Sequence, residues 1–454
     1  MHEFQHADLG DERLAKRLGV LAEQLAGQPG ASIPQATGNW GQACAAYRFF
    51  DNDQVQPVAI LASHQICTRQ RAATHSVVLA VQDTTVLNYT AHTDVTGLGP
   101  IGGKVDRPLG LWLHTTQAFT PEGQPLGLLA SECWARDPRQ FAQCRGRNQK
   151  PLPQKESARW LRGLQQVQAV AAQTPQTQWV VLADREADIY ELFAATVGQP
   201  AAPALVVRLQ HNRGVEHPAR LLQPWLRAQP ARGELTVQVP RHKGQAARPA
   251  TLTLRFGAVT GQPPQLKRQL PALPLWIVEA REEHPPAGVA AIGWQLLSTL
   301  AVTTLAGAVE KINWYVVRWQ IEVYHRVLKS GCQVEARQLE TAMRLQRALA
   351  VDLVVAWRIM QMRMRSRPES VEALAEVFTE SEWKLLYCAV RHTTCLPNQP
   401  PTLMETIGWL GRLGGHLGRK GDGPPGPKAL WRGLQRLNDM TIGLDVAWAI
   451  NKCA

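Results

Sequence analysis

Apolar residues at helical spacing open the chain: Leu14, Leu18, Leu21 and Leu25 lead to a stop at Gly27-Gln28-Pro29-Gly30. Ala43, Ala46, Tyr47 and Phe50 share one side of a second stretch, so residues 1–70 are expected to be helical. From Val77 the pattern shortens. Val77 to Val81 is a buried-strand run that ends in Gln82-Asp83, and Trp179 to Ala183 runs straight into Asp184-Arg185-Glu186-Ala187-Asp188. Between them, Leu109 to Phe119 and Pro125 to Trp134 predict further strands, and Lys155 to Ala171 a helix packed on the sheet. Leu235 to Val239 and Thr251 to Phe256 alternate with period two, each with one wet face. A long helix is expected over Ala306 to Ser330, then a helical region from Ala336, broken by the loop Gly418 to Lys428.

Composition narrows the class. The 454 residues suit about three domains, and 19% charged with 45% apolar residues excludes wholesale disorder. No membrane partner is expected, because the greasiest run, Ala348 to Trp357, is short and carries Asp352. The acidic start MHEFQHADLGDERL is no secretory signal. Cysteines 44, 67, 133, 144, 332, 388, 395 and 453 include no C-x-x-C pair, which argues against a zinc ribbon and for reduced thiols in the cytoplasm. Lys and Arg number 49 against 37 Asp and Glu, a net charge of +12 that suits a polyanion. Many basic proteins bind no DNA, so charge leaves the partner open.

The chemistry lies in a constellation. A lone acid at a strand end is more often a cap than a ligand, and that holds for Asp83 and Asp184 taken singly. On the long helix, Tyr315, Arg318, Glu322 and Lys329 fall within a sector of about 60° at ~100° per residue. Ile312, Val316, Trp319 and Val323 form an apolar neighbouring face. Taken alone, that helix is better explained by a surface ladder of ion pairs between Glu322 and its Arg and Lys neighbours. Two strand-borne Asp and one helix-borne Glu are, together, the hard oxygen donors that Mg²⁺ takes. Paired ions about 3.5–4 Å apart serve phosphoryl transfer.

The order Asp83, D-R-E-A-D from Asp184, then Y-x2-R-x3-E-x6-K (Tyr315, Arg318, Glu322, Lys329) resembles the bacterial cut-and-paste DDE transposases. It is similar to the insertion-sequence-four group, which includes the transposase of transposon Tn-five. The opening D-L-G-D-E-R-L with Ala46-Tyr47-Arg48-Phe49, and Leu413-Gly414-Gly415 through Gly433, resemble that group's terminal domains. Relatives usually carry a further helical turn or more before D-L-G-D, so either a misassigned start or a shortened DNA-binding arm is expected.

The resemblance implies an α/β fold: an RNase H-like catalytic domain over 71–335 with a β-rich insertion at about 209–300. It implies a helical end-binding domain over 1–70 and a helical dimerisation domain over 336–454. Asp83, Asp184 and Glu322 would be catalytic and hold Mg²⁺, with Mn²⁺ able to substitute. Tyr315, Arg318 and Lys329 would hold DNA, and Trp294 would stack on a flipped base, although a core aromatic explains it equally well. Arg208, His211 and Arg213 match another DNA-contacting stretch, and Gln210 stands where relatives often have Lys. Arg17 and Arg48, with Arg13 and Lys16, would serve end binding. Leu349, Leu353 and Trp357, and Leu430, Leu434 and Leu437, would give helix faces for a homodimer on DNA. The expected activity is Mg²⁺-dependent cleavage of double-stranded DNA at inverted-repeat ends, then strand transfer through a hairpin, by a cytoplasmic, nucleoid-associated enzyme. Two alternatives are an end-binding or inhibitory derivative that does not cut, and a structure-selective nuclease of the same fold.

Overall fold

The computed structural model describes residues 2–102, 107–141, 151–199, 201–239, 246–364, 374–375, 377–419 and 422–453. Cys144 and, in the expected loop, Lys420 and Gly421 lie outside them. Ten strands form one mixed sheet: β1 (Val77–Asn88), β2 (Gly99–Pro100), β3 (Leu109–Phe119), β4 (Pro125–Trp134), β5 (Gln178–Ala183), β6 (Ala204–Arg208), β7 (Gly233–Val239), β8 (Arg248–Gly261), β9 (Leu273–Arg281) and β10 (Gly293–Ser298). The spatial order is β2-β3-β1-β5-β6-β10-β9-β8-β7, with β4 on β3. β1, β5 and β6 are parallel, β3 runs antiparallel to β1, and β4 runs antiparallel to β3. β7 to β10 extend the same sheet from β6, all antiparallel.

Strand alternation splits the core in two. Leu79, Val81, Val180 and Leu182 face one side, with Ile312, Tyr315 and Tyr324 of the late helices. Val78, Ala80, Val181 and Ala183 face the other, with Trp160 and Leu164 of helix Ala158–Ala171. Each such fully buried side chain contributes roughly 1.5–3 kcal/mol relative to exposure. The strand holding Asp83 runs on to Asn88, so this acid sits inside a strand rather than at its end.

The long helix expected over 306–330 is interrupted. It runs Leu305–Val317 and Trp319–Arg326, then turns to π geometry at Val327–Gly331. At the break the Arg318 and Ile321 N–H groups bond three residues back instead of four. A local change of pitch replaces the uniform stripe, as happens where a functional group must be re-aimed. Its apolar neighbouring face is also not core: Ile312 is buried, but Val316 and Trp319 are 51% and 54% exposed.

The N-terminal helices Glu12–Gly27, Ile33–Thr37, Trp40–Asp51 and Pro57–Ala72 start at Asp11, Ser32, Asn39 and Gln56. The first three of these side chains accept backbone N–H groups, as N-caps do. These helices dock on the long helix Ala342–Met364, where Arg347 donates to the Phe50 and Val55 carbonyls. Asp352, the charge inside the greasy run, is fully buried and takes both forks of Arg337. Among the described residues no helix is long and apolar enough to cross a membrane.

Near the amino terminus, the Leu128 N–H donates to His64 Nε2 at 3.0 Å. Nδ1 therefore carries the proton and donates to Glu3, which Arg71 also holds. His64 is thus a neutral, buried clamp on the chain start. Burial pushes its pKa down.

Candidate active site

Register brings the two strand acids together. β1 and β5 pair in parallel as Val77 with Gln178 through Val81 with Leu182, so the same offset sets Asp83 beside Asp184. Adjacent strands lie about 4.8 Å apart. Both acids continue the rows Leu79-Val81 and Val180-Leu182, so they share the side of the sheet on which Ile312, Tyr315 and Tyr324 pack. Helix Trp319–Arg326 packs on β1 there and carries Glu322. Three residues on, His325 bonds Thr115 at 2.9 Å, and Thr115 is the cross-strand neighbour of Asp83. His325 thus pins the Glu322 helix to the strand beside Asp83. Burial, and then the charge of Lys329, hold its pKa down at about 3, so it stays neutral.

Arg318 spans the acids. Its guanidinium lies 2.8 Å from Glu322 and 3.5 Å from Asp83. Burial pushes the pKa of Asp83 up to about 7; Asp184 and Glu322 add to the push and Arg318 opposes it. Asp184 accepts the Glu186 N–H at 2.9 Å and so caps the short turn Arg185–Ala187. Among the described residues no three His, Cys, Asp or Glu side chains are grouped to hold a metal ion. The chain therefore offers carboxylate donors crowded around one arginine rather than a closed ligand cage. In donor type and charge the three acids fit a hard divalent cation: the excess negative charge at Asp83 is what such an ion would neutralise. Beside them Tyr315 Oη and Arg318 Nε are buried without hydrogen-bond partners.

The other side of the sheet carries a network that the sequence did not reveal. Arg159 donates to Thr84 Oγ1 at 2.9 Å and to Glu186 at 2.5 Å. Thr84 bonds His114, which bonds Gln82. Period two sends Gln82 and Thr84 away from Asp83, so the strand that presents the acid is anchored through its alternate residues. The D-R-E-A-D motif divides likewise: Asp184 joins the acids, Glu186 ties to Arg159, and Asp188 turns inward.

That inward turn corrects one expectation. Arg213 does not reach the surface to meet a phosphate; its fork closes on Asp188, which is fully buried. Asp188 also accepts the Gln210 and His211 N–H groups at 2.8 Å each. A buried carboxylate without a cation is far costlier than an exposed guanidinium, and this decides where Arg213 goes. The His211 side chain is exposed. Arg208 and Trp294 do meet, lining a pocket of about 250 Å³ with Arg185 and Arg281. Lys329 instead lies 4.0 Å from Glu335.

Of the N-terminal cations, Arg13 pairs with Asp11, Lys16 with Glu12, and Arg17 donates to Gln42. Arg48 is exposed. Leu349, Leu353 and Trp357 are buried in the chain's own core, and so are Leu430, Leu434 and Leu437, the stripe expected to face a partner. The first half of helix Pro427–Cys453 packs on Leu403–Leu413 and on the long helix. Its outer half instead exposes Ile442, Leu444, Val446, Trp448 and Ile450.

Residues 1–55 match a family model described as transposase DNA-binding, and residues 354–452 match one described as transposase Tn5 dimerisation domain. Among solved structures, the cryo-EM structure of the piggyBac transposase synaptic complex with hairpin DNA is similar over 69% of this chain. The sequence identity is 13% and the TM-score 0.34. The chain spans about half the length of that transposase, covering 53% of it.

Proposed function

We propose that this chain, a Tn5-like transposase by its DNA-binding and dimerisation segments, cuts DNA at the inverted-repeat ends of a mobile element and joins the freed ends to target DNA. The observation that carries the reading is the register that sets Asp83 beside Asp184, with Glu322 held over them. An RNase H-like catalytic region is supported by the order β4-β3-β1-β5-β6, in which four strands run one way and β3 alone runs against them. In this reading the helical end-binding region runs to about residue 70 and the catalytic region to about residue 335.

Asp83, Asp184 and Glu322 would hold Mg²⁺, which supplies a Lewis acid and lowers the pKa of bound water. Arg318 and Tyr315 would hold the phosphate being cut; Tyr315 Oη and Arg318 Nε are among the buried atoms without partners in the described residues, while the rest of the Arg318 fork engages Glu322 and Asp83. Trp294 and Arg208 would receive a base taken out of the stack, at a cost of a few kcal/mol that stacking partly offsets. In the first step a water oxygen bonds to the terminal phosphorus and the 3′-oxygen departs with a proton. The freed 3′-OH then attacks the opposite strand, exchanging one P–O bond for another and closing a hairpin. Water opens that hairpin and the same hydroxyl joins target DNA. A second copy would meet this one through the exposed outer half of helix Pro427–Cys453.

The test is a supercoiled plasmid bearing the gene with its native flanking DNA, incubated with the full chain and Mg²⁺. Breaks should map to the borders of the element, and Asp83→Ala should retain binding but not cut. Cleavage by Asp83→Ala would remove the acids from the mechanism, and breaks placed without regard to the borders would point to a structure-selective nuclease. One observation favours a second reading, an end-binding protein that does not cut: Arg318 engages two of the three acids. Border binding by the wild type without breaks, in Mg²⁺ or Mn²⁺, would select it.

A further inference from the structure

Beyond Glu322 the same helix forms one wall of a groove whose other wall is the start of helix Pro427–Cys453. The groove holds about 820 Å³. Arg326, Arg363, Lys428 and Arg432 line it, and among the described residues no carboxylate does. Arg363 is half-buried, and burial and then the neighbouring charge of Arg326 push its pKa down. Trp319, 54% exposed, stands at one edge, and Trp431 forms part of the lining.

We propose that this groove binds the sugar–phosphate backbone of the DNA strand leaving the candidate active site. The inference rests on DNA being that site's substrate. Arg326 lies one helical turn, ~5.4 Å, beyond Glu322, so a strand held at the acids has a continuous path into the groove. Four cations without an acid suit a row of phosphates, and an exposed indole at the edge suits a base or sugar, independent of sequence. Arg326 is an unspecified position of the acid-bearing motif, and Arg363, Lys428 and Arg432 lie in the segment that matches a transposase dimerisation domain.

The test uses the full chain and two probes of random sequence, a 30-base-pair duplex and a 30-nucleotide single strand, with affinity followed from 50 to 200 mM NaCl. Each lost phosphate contact lowers the slope of log affinity against log salt by ~0.9 for duplex. Lys428→Ala with Arg432→Ala, both exposed, should lower it by about 2, and adding Arg326→Ala and Arg363→Ala by about 4. The double variant keeps the test valid if the quadruple variant fails to fold. Unchanged slopes in the double variant overturn the groove, whether or not the protein cuts. Poly-glutamate competing as well as DNA at equal charge assigns the groove to an acidic protein and also overturns it. A wild type that cuts nothing but shows the slope change sinks the cutting reading and leaves the groove standing.

Discussion

On the side of the sheet facing helix Ala158–Ala171, charged groups close on partners, although Trp160 Nε1 and Thr116 Oγ1 are buried without one among the described residues. Arg159 reaches Thr84 and Glu186, His114 links Thr84 to Gln82, and Arg213 forks onto Asp188. On the opposite side, one residue along the same strand, Asp83 is crowded by two other acids and faces a single arginine. There Tyr315 Oη and Arg318 Nε lack partners. The strand is the same, and alternate residues have opposite fates. The difference lies in the charges: on one side each buried charge is matched by a partner, and on the other the raised pKa of Asp83 marks a carboxylate that a cation would stabilise.

Four measurements would break or sharpen this contrast. The largest effect on stability should come from Arg213→Ala, which leaves Asp188 buried without its cation and should cost about 3–5 kcal/mol in urea unfolding. If that variant kept its stability and lost DNA affinity, Arg213 would belong to the DNA-facing set after all. Arg159→Ala should cost less, about 1–3 kcal/mol, because Glu186 is left largely in water and Thr84 loses one donor.

His114 and Asp83, one on each side, should respond oppositely to pH in the metal-free protein with EDTA present, and His325, also held low, follows His114. His114 is held well below its usual 6.5 by burial and then by Arg159, so the unfolded chain binds the extra proton first and stability is lost as pH falls below 6.5. Asp83 is raised from 3.8 to about 7, so the folded chain holds the extra proton and stability rises as pH falls from 7 towards 3.8. Asp83→Asn should abolish the second trend and leave the first, as read by thermal melts across that range. An Asp83→Asn protein with the wild-type pH profile would show that the acids do not crowd one another. The smallest change belongs to Tyr315→Phe. Removing a hydroxyl without a partner should leave the free protein's stability within about 1 kcal/mol of the wild type, or raise it, while cleavage slows. A loss of several kcal/mol would place Tyr315 among the groups that hold the fold.

The sequence by itself determined the elements and the acids. Leu109–Phe119 and Pro125–Trp134 are strands with the bounds their patterns indicate, and period two already places Asp83 on the face opposite Thr84. It could not say where Arg213 points, which leucines of helix Pro427–Cys453 meet their own chain, or that the long helix breaks at Arg318. It also passed over His325, Arg159 and Asp188, although spacing offered a signal for the first, which lies three residues beyond Glu322 on the same helix. The reason is physical. Backbone geometry fixes local periodicity, so spacing reveals which residues share a face. A charged or apolar side chain takes its partner from whichever distant element packs against that face, and the cost of leaving Asp188 unpaired or Leu430 wet is settled only when those elements meet.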